Sequence, residues 1–146
     1  MSQPLNFEDP AVQDEWCAQQ FHAVKTFMSR QQVHHGLVGS DPVFKLPPTL
    51  AVWKVQSATV PNAVGWWVLS GDLPTDYFSA QTISGPREVL IAAADKWETM
   101  LNDARSGIQS KTTIMGLYGN LELQQMLESR VQSLRALAND SRIWTS

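Results

Sequence analysis

The chain has 146 residues, 43% hydrophobic and 17% charged, with a formal net charge of −3. That length predicts a single domain, 1–146, too short for two independent cores yet able to bury roughly 68–70% of its unfolded surface without a metal or disulfide staple. Composition excludes a disordered chain, the acidic balance argues against nucleic acid as a partner, and the lone Cys17 excludes an intramolecular disulfide or an all-cysteine metal site.

The first ten residues are polar and acidic, without the basic and apolar stretches of a signal peptide. A helix over 10–34 follows. Asp9 suits its cap, Pro10 its first position, and Asp14 and Glu15 the positive end of its dipole. Val12, Trp16, Gln20, Phe21, Val24, Phe27 and Met28 recur at helical spacing and predict one buried stripe. Past His34 and His35, Gly36 is the expected left-handed terminator.

Val43–Leu46 reads as a short edge strand halted by Pro47 and Pro48, which cannot donate to a ladder. Strands over 50–57 and 65–70 flank a hairpin loop at Thr59–Ala63. Between Leu46 and Gly71 the only charge is Lys54, so this stretch belongs inside. Ala51, Trp53 and Val55 share one face of the first strand. In the second, Trp66 and Val68 oppose Trp67 and Leu69, so both faces are apolar. Either helices cover the sheet on both sides, or one tryptophan is left at the surface.

Ser84-Gly85-Pro86 opens a helix over 86–105, with Val89, Leu90, Ala93, Trp97, Met100, Leu101 and Ala104 as its buried stripe and Gly107 as its stop. Thr112–Met115 reads as a further strand. The third helix, 120–138, starts at Asn120 and closes at Asn139. Residues 86–146 carry seven acids and seven bases, so the net charge resides in the amino-terminal part, and no like-charge block forms a basic arm or acidic tail. This order of elements predicts an α+β fold, a small antiparallel sheet centred on a hairpin and packed by three helices. The longest apolar run, Val89–Ala94, is far below the ~18–20 residues of a membrane span. A cytoplasmic protein with no membrane association is expected, in keeping with its single thiol.

Chemistry-bearing residues concentrate from Gly65 to Tyr77. Asp72 and Asp76 could divide acid and base roles or share Mg²⁺, because neighbouring carboxylates split their pKa values. Equally, Gly71, Asp72 and Pro74 are turn-forming residues, with Thr75 or Asp76 as local caps. Cys17 has no base beside it in sequence and reads as a buried, inert thiol. Ser70 lacks the Gly-x-Ser-x-Gly frame of a nucleophile elbow, and Gly116-Leu117-Tyr118-Gly119 lacks the lysine of a phosphate loop. His22, His34 and His35 have no metal-ligand spacing with one another or with Cys17. No metal, no cofactor and no catalytic residue is assigned. Trp16, Trp53 and Trp97 fit core positions. Trp66 or Trp67 could anchor a partner, and Trp144 is expected to dock the tail against the body or another subunit.

The stretch from Gly65-Trp66-Trp67-Val68 through Ser70-Gly71-Asp72-Leu73-Pro74-Thr75-Asp76-Tyr77, with Pro86, Arg87 and Trp97, Trp16-Cys17 and Ala51-x-Trp53, resembles a family of short bacterial proteins classed as a domain of unknown function. Its members share a Gly-Trp-Trp-Val-x-Ser-Gly-Asp-Leu-Pro-Thr-Asp-Tyr core. The resemblance spans most of the chain and implies a stand-alone domain of about this length, with no known activity, cofactor or catalytic residue. More loosely, the tryptophan followed by Ser-Gly-Asp is similar to some small immunity proteins that bind toxins.

The leading expectation is a non-catalytic protein-binding module, of adaptor or immunity type, built on the 71–77 loop. Asp72, Thr75, Asp76, Tyr77, Arg87, Trp66 and Trp67 would meet an unidentified protein partner, and Asp76→Ala would leave folding intact. Arg87 would either touch that partner or brace a loop carboxylate. One alternative is a small hydrolase or transferase using Asp72 and Asp76 as acid and base. Another is a structural subunit, monomer or homodimer, joined through an exposed tryptophan.

Overall fold

A computed structural model of the protein describes residues 5–108 and 116–144. The chain divides into two compact units between Thr82 and Ile83.

The first unit opens with helix α1 (Pro10–Arg30), whose cap Asp9 accepts a 2.9 Å hydrogen bond from the Ala11 N–H. The helix stops at Arg30, four residues short of the expected end, because the next segment is drawn alongside the sheet. Gln31 is extended, and its side-chain amide donates to the Phe27 carbonyl at 3.1 Å. Gly36 donates to the Gln56 carbonyl at 2.7 Å, Gln56 to Leu37 at 2.9 Å and Gly39 to Lys54 at 2.9 Å, so ladder bonds replace helical ones. Gly36 therefore works by its small size beside β2 and not as a left-handed cap: a Cβ there would lie 3.1 Å from that of Gln56.

Four antiparallel strands follow in the order β1 (Phe44–Leu46), β2 (Leu50–Gln56), β3 (Val64–Gly71) and β4 (Asp76–Ser79). The expected hairpin and edge strand agree with these bounds to within a residue. Strand β4 corrects the reading of 71–77 as one continuous loop: the turn ends at Thr75, and Asp76 already pairs with Leu69. Alternation places Ala51, Trp53, Val55, Val68 and Tyr77 on the face covered by α1, where Trp16, Val24 and Met28 complete a core. Leu50, Val52, Trp67, Leu69, Asp76 and Phe78 occupy the opposite face and are buried as well. Val68 and Leu69, adjacent and pointing opposite ways, are both 0% exposed, so water is excluded from both sides of mid-β3.

The second unit is an antiparallel helical hairpin. Helix α2 (Pro86–Arg105) is capped at Gly85 and stopped by Gly107 at φ +76°. Helix α3 (Leu121–Ala138) starts where Asn120 accepts from the Leu123 N–H at 3.0 Å. Val89, Leu90, Ala93, Trp97 and Leu101 are buried on one helix, and Leu127, Val131, Leu134 and Ala138 on the other. Arg105 pairs with Glu128, and Arg135 bridges Asp95 and Glu98, all at 3.0 Å. The short α4 (Ser141–Trp144) folds back, and Trp144 donates its indole N–H to the Leu137 carbonyl at 2.9 Å. The expected strand at Thr112–Met115 lies outside the described residues. Among the described residues, no helix is long and apolar enough to cross a membrane.

Candidate functional site

Of the seven residues expected to form one binding patch, six lie in the first unit and Arg87 lies in the second. Asp72 is exposed at the turn after β3, and its N–H donates to the Thr49 carbonyl at 2.9 Å; Thr75 is half-buried. Trp66 lies near the far end of the same strand, six extended residues from Asp72, or about 20 Å. Tyr77 sits on the α1 face between Phe27 and Trp66, with ring centroids 5.9 and 5.5 Å away. Trp66 is half-buried, and its indole donates to the His34 carbonyl at 3.0 Å. His34 and His35 therefore belong to the extended segment after α1, not to a helix end. Trp67 is buried on the other face.

Asp76 requires the main correction. Expected as an exposed partner contact, it is 0% exposed, and its carboxylate accepts from the Tyr77 N–H at 2.9 Å. The cause is the onset of β4: alternation turns Asp76 away from Tyr77 and onto the face of Leu69 and Phe78. Asp72 and Asp76 therefore differ in access to water, the first exposed and the second buried. In the second unit, the Arg87 Nε donates to the Ala138 carbonyl at 2.8 Å, bracing the end of α3.

A different concavity lies on the α1 face of the first unit. Helix α1 covers β2 and β3 but leaves the β1 side of that face open. The result is a cleft of about 700 Å³ between α1 and the stretch from Ser40 to Lys45. Asp14, Cys17, Ala18 and Phe21 form the helical wall, at the i, i+3, i+4, i+7 spacing of a single helix face. The opposite wall exists because 36–39 and β1 both pair with β2, and the chain bulges between them. Asp41, Val43 and Lys45 stand on that bulge and its exit, and Val43 is among the exposed apolar residues.

The family described as Domain of unknown function (DUF4826) matches residues 10–144. The chain belongs to this family. No curated protein and no solved structure matches it. The match takes in both cleft walls, the β3–β4 turn and the helical hairpin, and it carries no assigned chemistry.

Cys17 supplies the one thiol in the cleft, and it is half-buried instead of sealed in the core. Burial pushes its pKa upward, Lys45 opposes that shift, and Asp14 and Asp41 add to it. The thiol form is thus favoured over the thiolate that nucleophilic chemistry requires. Among the described residues, no three His, Cys, Asp or Glu side chains converge as a metal site. What the cleft offers is shape, apolar surface and fixed charge. Its signal in the sequence is the second helical stripe beside the Trp16–Val24–Met28 core stripe.

Proposed function

We propose that this protein is a non-catalytic protein-binding module whose contact surface is the cleft between α1 and the 40–45 segment. The observation that carries the reading is the cleft itself. Its volume lies within the range of ~300–1,000 Å³ typical of ligand sites, and its walls combine Phe21 and Val43 with exposed charges. The 71–77 loop is a poorer surface, because Asp76 is buried and Tyr77 is packed between two rings. A catalytic reading draws less support, since Cys17 is held toward its protonated form.

Site-specific photo-crosslinking tests this. A crosslinking side chain at Ala18, on the cleft wall, is expected to yield a discrete protein adduct that Val43→Glu abolishes. The same group at exposed Gln132, on α3, serves as the control. Equal adducts at Ala18 and Gln132, or an Ala18 adduct indifferent to Val43→Glu, would overturn the proposal. An adduct formed only from Asp72 would return the contact surface to the β3–β4 turn.

A further inference from the structure

Charge in and around the cleft is unevenly distributed. The two facing walls each present an exposed carboxylate, Asp14 from α1 and Asp41 from the bulge, against the single ammonium of Lys45. Glu8, Asp9 and Glu15 add acid at the same end of α1. The helix's own bases, Lys25 and Arg30, lie at the other end. The Lys25 ammonium reaches back over the Phe21 ring, 5.2 Å from its centroid, and so bounds the cleft at the end of the helical wall away from Asp14. Phe21 is seven residues from Asp14, about 10 Å along the axis, which exceeds the Debye length of about 8 Å at physiological salt, so the Asp14 end keeps its acidic character. In the same cleft, Ala18, Phe21 and Val43 supply apolar surface. A cationic head between two acids, with its aliphatic stem over apolar side chains, satisfies both features at once.

We infer that the cleft receives an extended protein segment bearing a lysine or arginine flanked by apolar residues. The inference rests on the cleft-binding reading above and names the chemistry of its partner. Apolar burial supplies most of the affinity, while Asp14 and Asp41 select the sign of charge and accelerate encounter at low salt. Lys45, on β1, lines the same cleft and opposes Asp14 and Asp41, so its removal sharpens the preference for a cationic residue.

Three fluorescein-labelled nonapeptides with identical leucine and alanine flanks and a central arginine, glutamine or glutamate provide the test, read by fluorescence anisotropy with the full chain. The arginine peptide should bind at least tenfold tighter than the other two and weaken as salt rises. Asp14→Asn and Asp41→Asn should each weaken it by up to about fivefold, as removal of an exposed ion pair does, while Lys45→Gln strengthens it. Circular dichroism of each variant establishes that the fold is retained. Tighter binding of the glutamate peptide, arginine binding unchanged in the double asparagine variant, or binding of none of the three overturns the inference. The two proposals fail separately. A partner crosslinked at Ala18 whose docking segment lacks a basic residue sinks the charge assignment and leaves the cleft reading standing; loss of the Ala18 adduct removes both.

Discussion

The indole of Trp53 donates a 2.9 Å hydrogen bond to the hydroxyl of Ser70, 17 residues away on the neighbouring strand. Trp53 is 0% exposed and Ser70 1%, and both share a sheet face with Val68, the cross-strand partner of Trp53. A buried indole N–H requires an acceptor, and in this apolar core a serine supplies it. The hydroxyl that stood beside Gly71-Asp72 as a weak nucleophile candidate is thus committed to the core.

Ser70→Ala should destabilise the protein by about 1–3 kcal/mol, the range for leaving a buried donor without a partner. Adding Trp53→Phe to Ser70→Ala should cost less than the two single losses combined, because both polar groups are then gone. Urea unfolding followed by circular dichroism measures all three variants. Wild-type stability in Ser70→Ala would mean that the bond contributes nothing.

Gly71 and Gly107 both have positive φ, at +135° and +76°, but in different surroundings. A Cβ at Gly71 would fall 2.6 Å from the Leu50 Cα, whereas one at Gly107 meets nothing within 4 Å. Gly107→Ala should cost only the left-handed backbone term, about 1–2 kcal/mol. Gly71→Ala adds a backbone collision with Leu50 at the open end of the β2–β3 hairpin and should cost clearly more. Thermal melts that rank the two in the reverse order would contradict this.

Asp76→Ala should lower stability by about 1–3 kcal/mol, since it strips the acceptor from the Tyr77 N–H at a site closed to solvent. The sequence alone led to the opposite expectation, an intact fold. Asp76→Asn, which keeps one carbonyl oxygen, should recover part of the loss. Chemical denaturation of the two variants side by side decides it.

The Cys17 thiol should react with iodoacetamide along a pH profile whose midpoint lies above that of the same cysteine in the unfolded chain. Lys45→Ala removes a cation that stabilises the thiolate, so the midpoint should move further up. Asp14→Asn and Asp41→Asn remove anions that oppose the thiolate, so each should bring it down. Midpoints that ignore all three substitutions would place these groups away from the thiol.

Helix starts were legible because they are local. Asp9-Pro10 and Asn120 carry their caps within three residues, and the Trp97 and Leu127 stripes carry their own periodicity. The hairpin was legible for the same reason, from alternation either side of a turn. The end of α1 was not, because the competitor for Gly36 is a carbonyl of Gln56, twenty residues on. Strand β4 was not, because four residues after Pro74 are too few to show a period, and what defines them is pairing with Leu69 and Val68. The cleft was least legible of all. Asp14, Cys17, Ala18 and Phe21 show a helix face in sequence, but nothing local says that a bulge of 40–43 will stand opposite it.

The hydrogen bond from Tyr77 to Asp76 has a consequence for self-association. Ala80 donates to the Gly65 carbonyl, so in this register Phe78 and Asp76 exchange ladder bonds with β3, and the Tyr77 N–H points outward from the sheet. Outward N–H groups on an edge strand are templates for a foreign strand, the first step toward amyloid-like stacking. By curling back over that donor, the Asp76 side chain occupies it, and this position of the edge offers no free N–H to a foreign strand.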